Sequence, residues 1–212
     1  MALNGSDVDT KEKGDNKMVT IVYAHQLEDS LNATIRNTLV EHLRSNNQSY
    51  HLIDLYKDGF QPAMTPEERR TFFTGTGESN DPLVKQYQNI LRETDHLVFI
   101  FPVWFNGEPS IVKAFFERTC LPGFGYAYIE NGLKPLLTHI QQITVLTTSG
   151  APTEMLAGYF GNMIENQFIN NLVCNMVGSV DSKDAAWLNF GSALFPSKEE
   201  LNIHIAKMKE RF

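Results

Sequence analysis

The 212-residue chain is short of cysteine, of long apolar runs and of clustered positive charge, and each shortage removes a class of protein. Cys120 and Cys174 are its only cysteines and have no C-x-x-C spacing, so a disulfide framework or a dithiol redox centre is not expected. Two isolated thiols fit a reducing compartment, and a cytoplasmic protein is expected. No stretch reaches the roughly 18 apolar residues that a bilayer-spanning helix needs, so no membrane insertion is expected. A net charge of −7 without a basic run speaks against nucleic acid and acidic lipid as partners. His25, His42, His51, His96, His139 and His204 show no metal-ligand spacing, so no metal is expected. The absence of G-x-G-x-x-G argues against a Rossmann dinucleotide site, and the absence of a P-loop against an NTPase. Residues 1–17 are polar and charged, without the apolar core of a signal peptide. They are expected to form a disordered tail ahead of one domain spanning 18–212.

What is present is a regular alternation of strand-like and helix-like segments. Residues 18–24 are rich in Val and Ile and predict a first strand. Residues 30–44 place Leu31, Ile35, Leu39 and Leu43 at steps of four, one face of a helix. Strands are expected at 50–56, 97–101, 140–147 and 175–180. Helices are expected at 65–73, where Pro66 sits at the first helical position, and at 82–93, 109–118, 153–174 and 197–212. The 153–174 helix has a weak point at Gly158 and Gly161. This order predicts an α/β protein with a doubly wound five-stranded parallel sheet of order 2-1-3-4-5, the flavodoxin-like arrangement. In such a sheet the loops after strands one, three and four meet at the C-terminal rim, where ligands bind.

Those loops carry the unusual residues. The run Leu97-Val98-Phe99-Ile100-Phe101 reads as a strand buried on both faces, and Pro102 is expected to stop its ladder. Val103-Trp104-Phe105-Asn106-Gly107 follows and delivers two large aromatics to the sheet edge, a flat apolar surface suited to a flat ring system. In the first loop, Ser30 caps a helix whose free N–H groups could hold a phosphate, with His25 just upstream. Taken alone, that loop reads equally as an ordinary capped helix. In the fourth loop, Thr147-Thr148-Ser149-Gly150 lets backbone approach a ligand closely and offers hydroxyl and amide donors. No G-x-S-x-G elbow surrounds Ser149, so a hydrolase nucleophile is not expected there. Gly75-Thr76-Gly77 follows no strand and reads as a turn.

Taken together, His25 with Ser30 and Asn32, then F-P-V-W-F-N-G-x-P-S-I-V-K-A-F-F-E-R, then Gly123-Phe124-Gly125-Tyr126-Ala127-Tyr128, then Thr147 to Gly150 closely resemble the NAD(P)H:quinone oxidoreductase family. The resemblance covers roughly residues 18–168. It implies a flavodoxin-like flavoprotein, with FMN favoured over FAD because this chain lacks the long C-terminal extension of the animal enzymes. It also implies hydride transfer from NAD(P)H through the flavin to a quinone-like acceptor by ping-pong kinetics. Phosphate and ribityl contacts would fall on His25, Ser30, Leu31 and Asn32. Ring contacts would fall on Pro102, Val103, Trp104, Phe105 and Asn106 on one side and on Thr147, Thr148, Ser149 and Gly150 on the other. Tyr126 and Tyr128 match tyrosines that line the family's substrate pocket, one wall of which belongs to the second subunit of a homodimer. A Tyr and a His follow the fourth loop in the animal enzymes; the same offsets here fall on Met155 and Gly161, with Tyr159 the nearest replacement. Alternatives are an azo- or nitro-compound reductase, a flavin-binding regulatory subunit of a potassium-efflux transporter, and a one-electron carrier, the last disfavoured by the tyrosine pocket.

Overall fold

The computed structural model describes residues 17–179 and 183–212. Strands β1 (Val19–Tyr23), β2 (Tyr50–Asp54) and β3 (His96–Pro102) alternate with helices α1 (Leu31–Ser45), α2 (Pro66–Thr71) and α3 (Pro82–Glu93). Helix α4 (Ser110–Thr119) precedes a hairpin, β4 (Tyr126–Ile129) and β5 (Gly132–Pro135). After β6 (Gln142–Thr148) come α5 (Thr153–Ala157), a π-helical segment (Ile164–Val173), α6 (Cys174–Val177), β7 (Asp184–Phe190) and α7 (Lys198–Lys209). The main sheet has the order β2-β1-β3-β6-β7 with every neighbour parallel, which is the expected 2-1-3-4-5 arrangement. The period-2 alternation of the buried strands sends Val22, Phe99, Phe101 and Val145 into one apolar layer with α3, α4 and the π-helical segment. Ile21, Tyr23, Val98, Ile100 and Leu146 enter the other, with α1 and α7.

Three local expectations are corrected. The fifth strand is not at 175–180: residues up to Val177 form the last turn of α6, closed by Gly178 at φ 95°, and Val180 lies outside the described residues. The strand is Asp184–Phe190, whose partner is β6. The 153–174 helix breaks at Gly158 and Gly161 and resumes as a π-helical segment, with Asn162 at φ 53° in the break. Pro102 does not stop the β3 ladder but is its last member, in register with Thr148. The β4–β5 hairpin had no strand assignment in the sequence, since its exposed aromatics read equally as a surface loop. The expected tail at 1–17 lies outside the described residues except for Lys17.

Between β2 and α3 the chain is pinned by a buried charge cluster. Arg118, 3% exposed at the end of α4, donates to Glu68 at 2.8 Å and 2.5 Å, to Asp81 at 2.7 Å and to the Gln61 carbonyl. Glu68 also closes the α2 capping box with Thr65, and Asp81 caps α3. The turn at Gly75 and Gly77 runs backbone against backbone along Gly123, where a Cβ on Gly77 would sit 2.3 Å from the Gly123 carbonyl carbon.

Candidate functional site

At the C-terminal rim of the sheet, the loop after β1 enters α1 through Ser30, whose hydroxyl accepts from the Ala33 amide at 3.1 Å. That leaves the Leu31 and Asn32 amides without a protein acceptor among the described residues, at the positive end of a 15-residue helix with no acid in its first turn. Asn32 is 2% exposed, and its Nδ2 donates to Thr148 Oγ1 at 2.7 Å, joining the first loop to the fourth. Its Oδ1 is buried with no partner among the described residues. Such an acceptor costs about 1–3 kcal/mol if nothing donates to it, so it marks a place for a ligand hydroxyl or a water. The nearby acid Glu28 is drawn into an ion pair with Arg36 at 2.6 Å, which also approaches Asp54 at 3.3 Å.

The first loop also meets the aromatic turn, with the His25 and Trp104 rings 6.4 Å apart. His25 Nδ1 accepts from the Leu27 amide at 3.1 Å, and burial holds its pKa below the ordinary value. The ring is therefore neutral at pH 7 with its proton on Nε2, a donor. In the turn, the Trp104 amide donates to the Gly107 carbonyl at 3.0 Å and Gly107 returns a bond at 3.1 Å, around Phe105 at φ 50° and Asn106 at φ 65°. This is a type I′ turn. A phenylalanine in the left-handed region costs about 1–2 kcal/mol, and Phe105 is fully exposed, so no packing offsets that strain within the chain. Trp104 is 40% exposed beside it. Pro102 and Val103 bring the turn to the rim, where the Val103 amide donates to the Thr148 carbonyl at 2.8 Å.

In the fourth loop the Thr147 and Ser149 hydroxyl protons are committed within the chain, whereas the Thr148 hydroxyl is engaged as an acceptor. Thr147 Oγ1 donates to Asn189 Oδ1 at 2.8 Å, Thr148 Oγ1 accepts from Asn32, and Ser149 Oγ donates to the Ala151 carbonyl at 2.7 Å. The backbone adds two donors: the Gly150 and Ala151 amides have no acceptor among the described residues. Sequence reasoning missed a neighbouring segment, the loop after β7. Its Ala193 amide donates to Ser149 O at 2.8 Å and its Ser192 amide to Ala151 O at 3.1 Å, which lays Leu194 over Gly150. Leu194 and Phe195 are 75% and 91% exposed. Their signal was an apolar pair ahead of a capping Ser197, obscured by the misplaced fifth strand.

His25, Ser30, Leu31 and Asn32, residues 102–106 and residues 147–150 thus converge on one rim. Tyr126 and Tyr128 do not: among the described residues no hydrogen bond or ring contact links them to it. Their rings pack edge to face at 5.5 Å on the hairpin, and burial followed by the Tyr128 hydroxyl pushes the Tyr126 pKa up. Tyr126 lines a separate apolar cavity with Phe72, Phe116, Leu133 and Met176, while Tyr128 is 66% exposed. Tyr159 is 86% exposed in the break after α5, its ring 5.2 Å from Phe160. Among the described residues no three His, Cys, Asp or Glu side chains gather as a metal site, and no helix is long and apolar enough to cross a membrane. The rim can hold a ligand with an anionic tail at α1, polar groups beside Asn32, and a flat ring between Trp104 and the Gly150 bend.

Similar proteins share this architecture. An uncharacterized NAD(P)H oxidoreductase of Escherichia coli (strain K12) is 30% identical over 111 residues, covering 52% of this chain and 56% of that protein. Human ribosyldihydronicotinamide dehydrogenase (quinone) is 29% identical over 140 residues, covering 55% and 58%. The match thus spans little more than half the length of these curated relatives. An NAD(P)H:quinone oxidoreductase from Methanothermobacter marburgensis superimposes with a TM-score of 0.79 at 21% identity, over 92% of this chain and 96% of that one. An FMN-dependent NADH-azoreductase from Bacillus anthracis str. Ames Ancestor, in complex with FMN, does so at 0.69 and 17%, over 92% and 96%. At these identities the structures establish a common fold. A family model described as flavodoxin-like fold matches residues 17–201, and the chain belongs to that family.

Proposed function

We propose that the chain is an NAD(P)H oxidoreductase that holds FMN at the rim and passes hydride to a quinone-like acceptor. The observation that carries this reading is the convergence at Asn32. Its amide group joins two loops, and among the described residues its carbonyl oxygen is buried without a donor beside two helix amides without acceptors. The Leu31 and Asn32 amides would take the phosphate, with the neutral His25 donating from Nε2. Asn32 Oδ1 would accept from a ribityl hydroxyl. Trp104 and the strained Phe105 would pack on the ring, and a contact there would offset the cost of the turn. The Gly150 and Ala151 amides would face its carbonyl edge as donors fixed before the reaction. A flavin held by these residues would supply the redox chemistry, hydride transfer between a nicotinamide and the acceptor.

FMN rather than FAD is supported by the neighbour of the same fold that carries FMN. A homodimer is part of the proposal. Tyr126, Tyr128 and the exposed Ile129 lie on a hairpin that no hydrogen bond or ring contact among the described residues ties to the chain's own rim, so they would wall the pocket of a second copy. Tyr159 and Met155, exposed beyond the fourth loop, would flank the acceptor.

The test is direct. Purified protein should be yellow, release FMN on heating, and oxidise NADH or NADPH when menadione is supplied. A colourless protein that cannot be reconstituted with FMN or FAD overturns the reading.

A further inference from the structure

We propose that Asn189 is a positioning residue that sets the reduction potential of the bound ring by holding the 147–150 loop in one arrangement. This rests on the flavin reading above, but concerns a residue outside every loop considered so far. Asn189 stands in β7, in register with Thr147 of β6, so the two side chains share a face of the sheet. Two residues back on that face is Trp187, whose Nε1 donates to Thr147 Oγ1 at 2.8 Å. Because that hydroxyl accepts from Trp187, its own proton goes to Asn189 Oδ1, at 2.8 Å. This fixes which way the amide points. Nδ2 must face the opposite side, and there it donates to Ser149 Oγ and to Thr153 Oγ1, each at 2.9 Å. Ser149 Oγ, now an acceptor, sends its proton to the Ala151 carbonyl at 2.7 Å.

The result is a chain of hydrogen bonds with a single polarity, from the Trp187 indole through Thr147, Asn189 and Ser149 to the Ala151 carbonyl. Only a side chain that accepts at one atom and donates twice at another can stand in the middle, which is what a primary amide offers. The chain ends by curling residues 149–151 into a bend whose Gly150 and Ala151 amides have no acceptor among the described residues. Reduction of a flavin adds two electrons and one proton and leaves negative charge at the ring's carbonyl edge. Donors fixed toward that edge stabilise the charged form more than the oxidised one, because they need no reorganisation as charge arrives. Loosening the bend therefore weakens the reduced complex selectively and lowers the potential.

The experiment uses purified holoprotein with FMN. Affinity for oxidised FMN is read by fluorescence quenching, and the midpoint potential by equilibration with a reference dye. For Asn189→Leu, close in size and uncharged, oxidised FMN should keep its affinity and reduced FMN should weaken by about tenfold, which is a fall of about 30 mV for a two-electron couple. Trp187→Phe removes only the first donor of the chain and should shift the potential the same way by a smaller amount. It decides the matter if Asn189→Leu does not fold. A potential equal to wild type in a folded, yellow variant overturns the proposal, because both forms then weaken equally and Asn189 serves stability alone. A wild-type protein that takes up no flavin overturns the underlying reading instead, before any variant is made.

Discussion

Two polar clusters in this molecule are built from similar groups and left in opposite conditions. Around Arg118 the guanidinium is enclosed by Glu68, Asp81 and the Gln61 carbonyl, and the group is closed upon itself. At the rim, among the described residues, Asn32 Oδ1 lacks a donor, helix and loop amides lack acceptors, and two aromatics stand exposed on a strained turn. Burial of polar groups is costly in both places. In the first the cost is met by the chain, so the cluster holds the 61–81 connection against α4. In the second it is left open, which is the condition that the proposed flavin site needs and a structural clamp does not.

Substitutions should separate the two. The largest effect is expected at the clamp. Arg118→Leu leaves the Glu68 and Asp81 carboxylates without their cation and should cost about 3–5 kcal/mol in urea unfolding, with FMN affinity per folded molecule unchanged. A loss below about 1 kcal/mol would mean the cluster is not a clamp.

Next is a pH effect far from the rim. His96 is 2% exposed, its Nε2 lies 2.8 Å from Thr144 Oγ1, and burial, with Arg211 adding, lowers its pKa to about 4. Between that value and the unfolded value near 6.5 the unfolded chain binds the extra proton, so stability falls as pH falls. The loss should approach about 3 kcal/mol by pH 4, and His96→Gln should flatten that part of the stability profile. Equal slopes for the two proteins would remove His96 as the cause.

At the rim the expected effects move from stability to binding. Trp104→Ala should weaken FMN by about 1–3 kcal/mol of stacking while the melting temperature barely changes. A mutant that stays yellow with unchanged turnover would place Trp104 outside the site. The smallest change is expected from Phe105→Gly, which removes the left-handed penalty at φ 50°. It should raise stability by about 1 kcal/mol while lowering activity, as strain held for function predicts. A variant no more stable than wild type would show that the turn is not strained.

How much was legible in advance follows from the range of the interactions. The sheet order was legible because the continuous apolar run of β3 and the period-3.6 pattern of α1 need only neighbouring residues. The rim residues at 25–32, 102–106 and 147–150 were legible because a fold of that class brings those loops together. The fifth strand was not. Asn175, Met176 and Val177 suit either a helix end or a strand, and the choice was made by Gly178 and by the pairing of β7 with β6. With the strand misplaced, Asn189, Leu194 and Phe195 had no position from which to be noticed.

The sequence by itself therefore determined the layer architecture, the rim and the aromatic turn, because each is written in local periodicity, caps and loop composition. Tertiary structure alone decided which polar atoms stay free. Thr147, Thr148 and Ser149 offered hydroxyls on paper, and Asn189 of β7, Asn32 of α1 and the nearby Ala151 carbonyl became their partners. A hydrogen bond needs its partner within about 3 Å, and only the folded chain sets that distance.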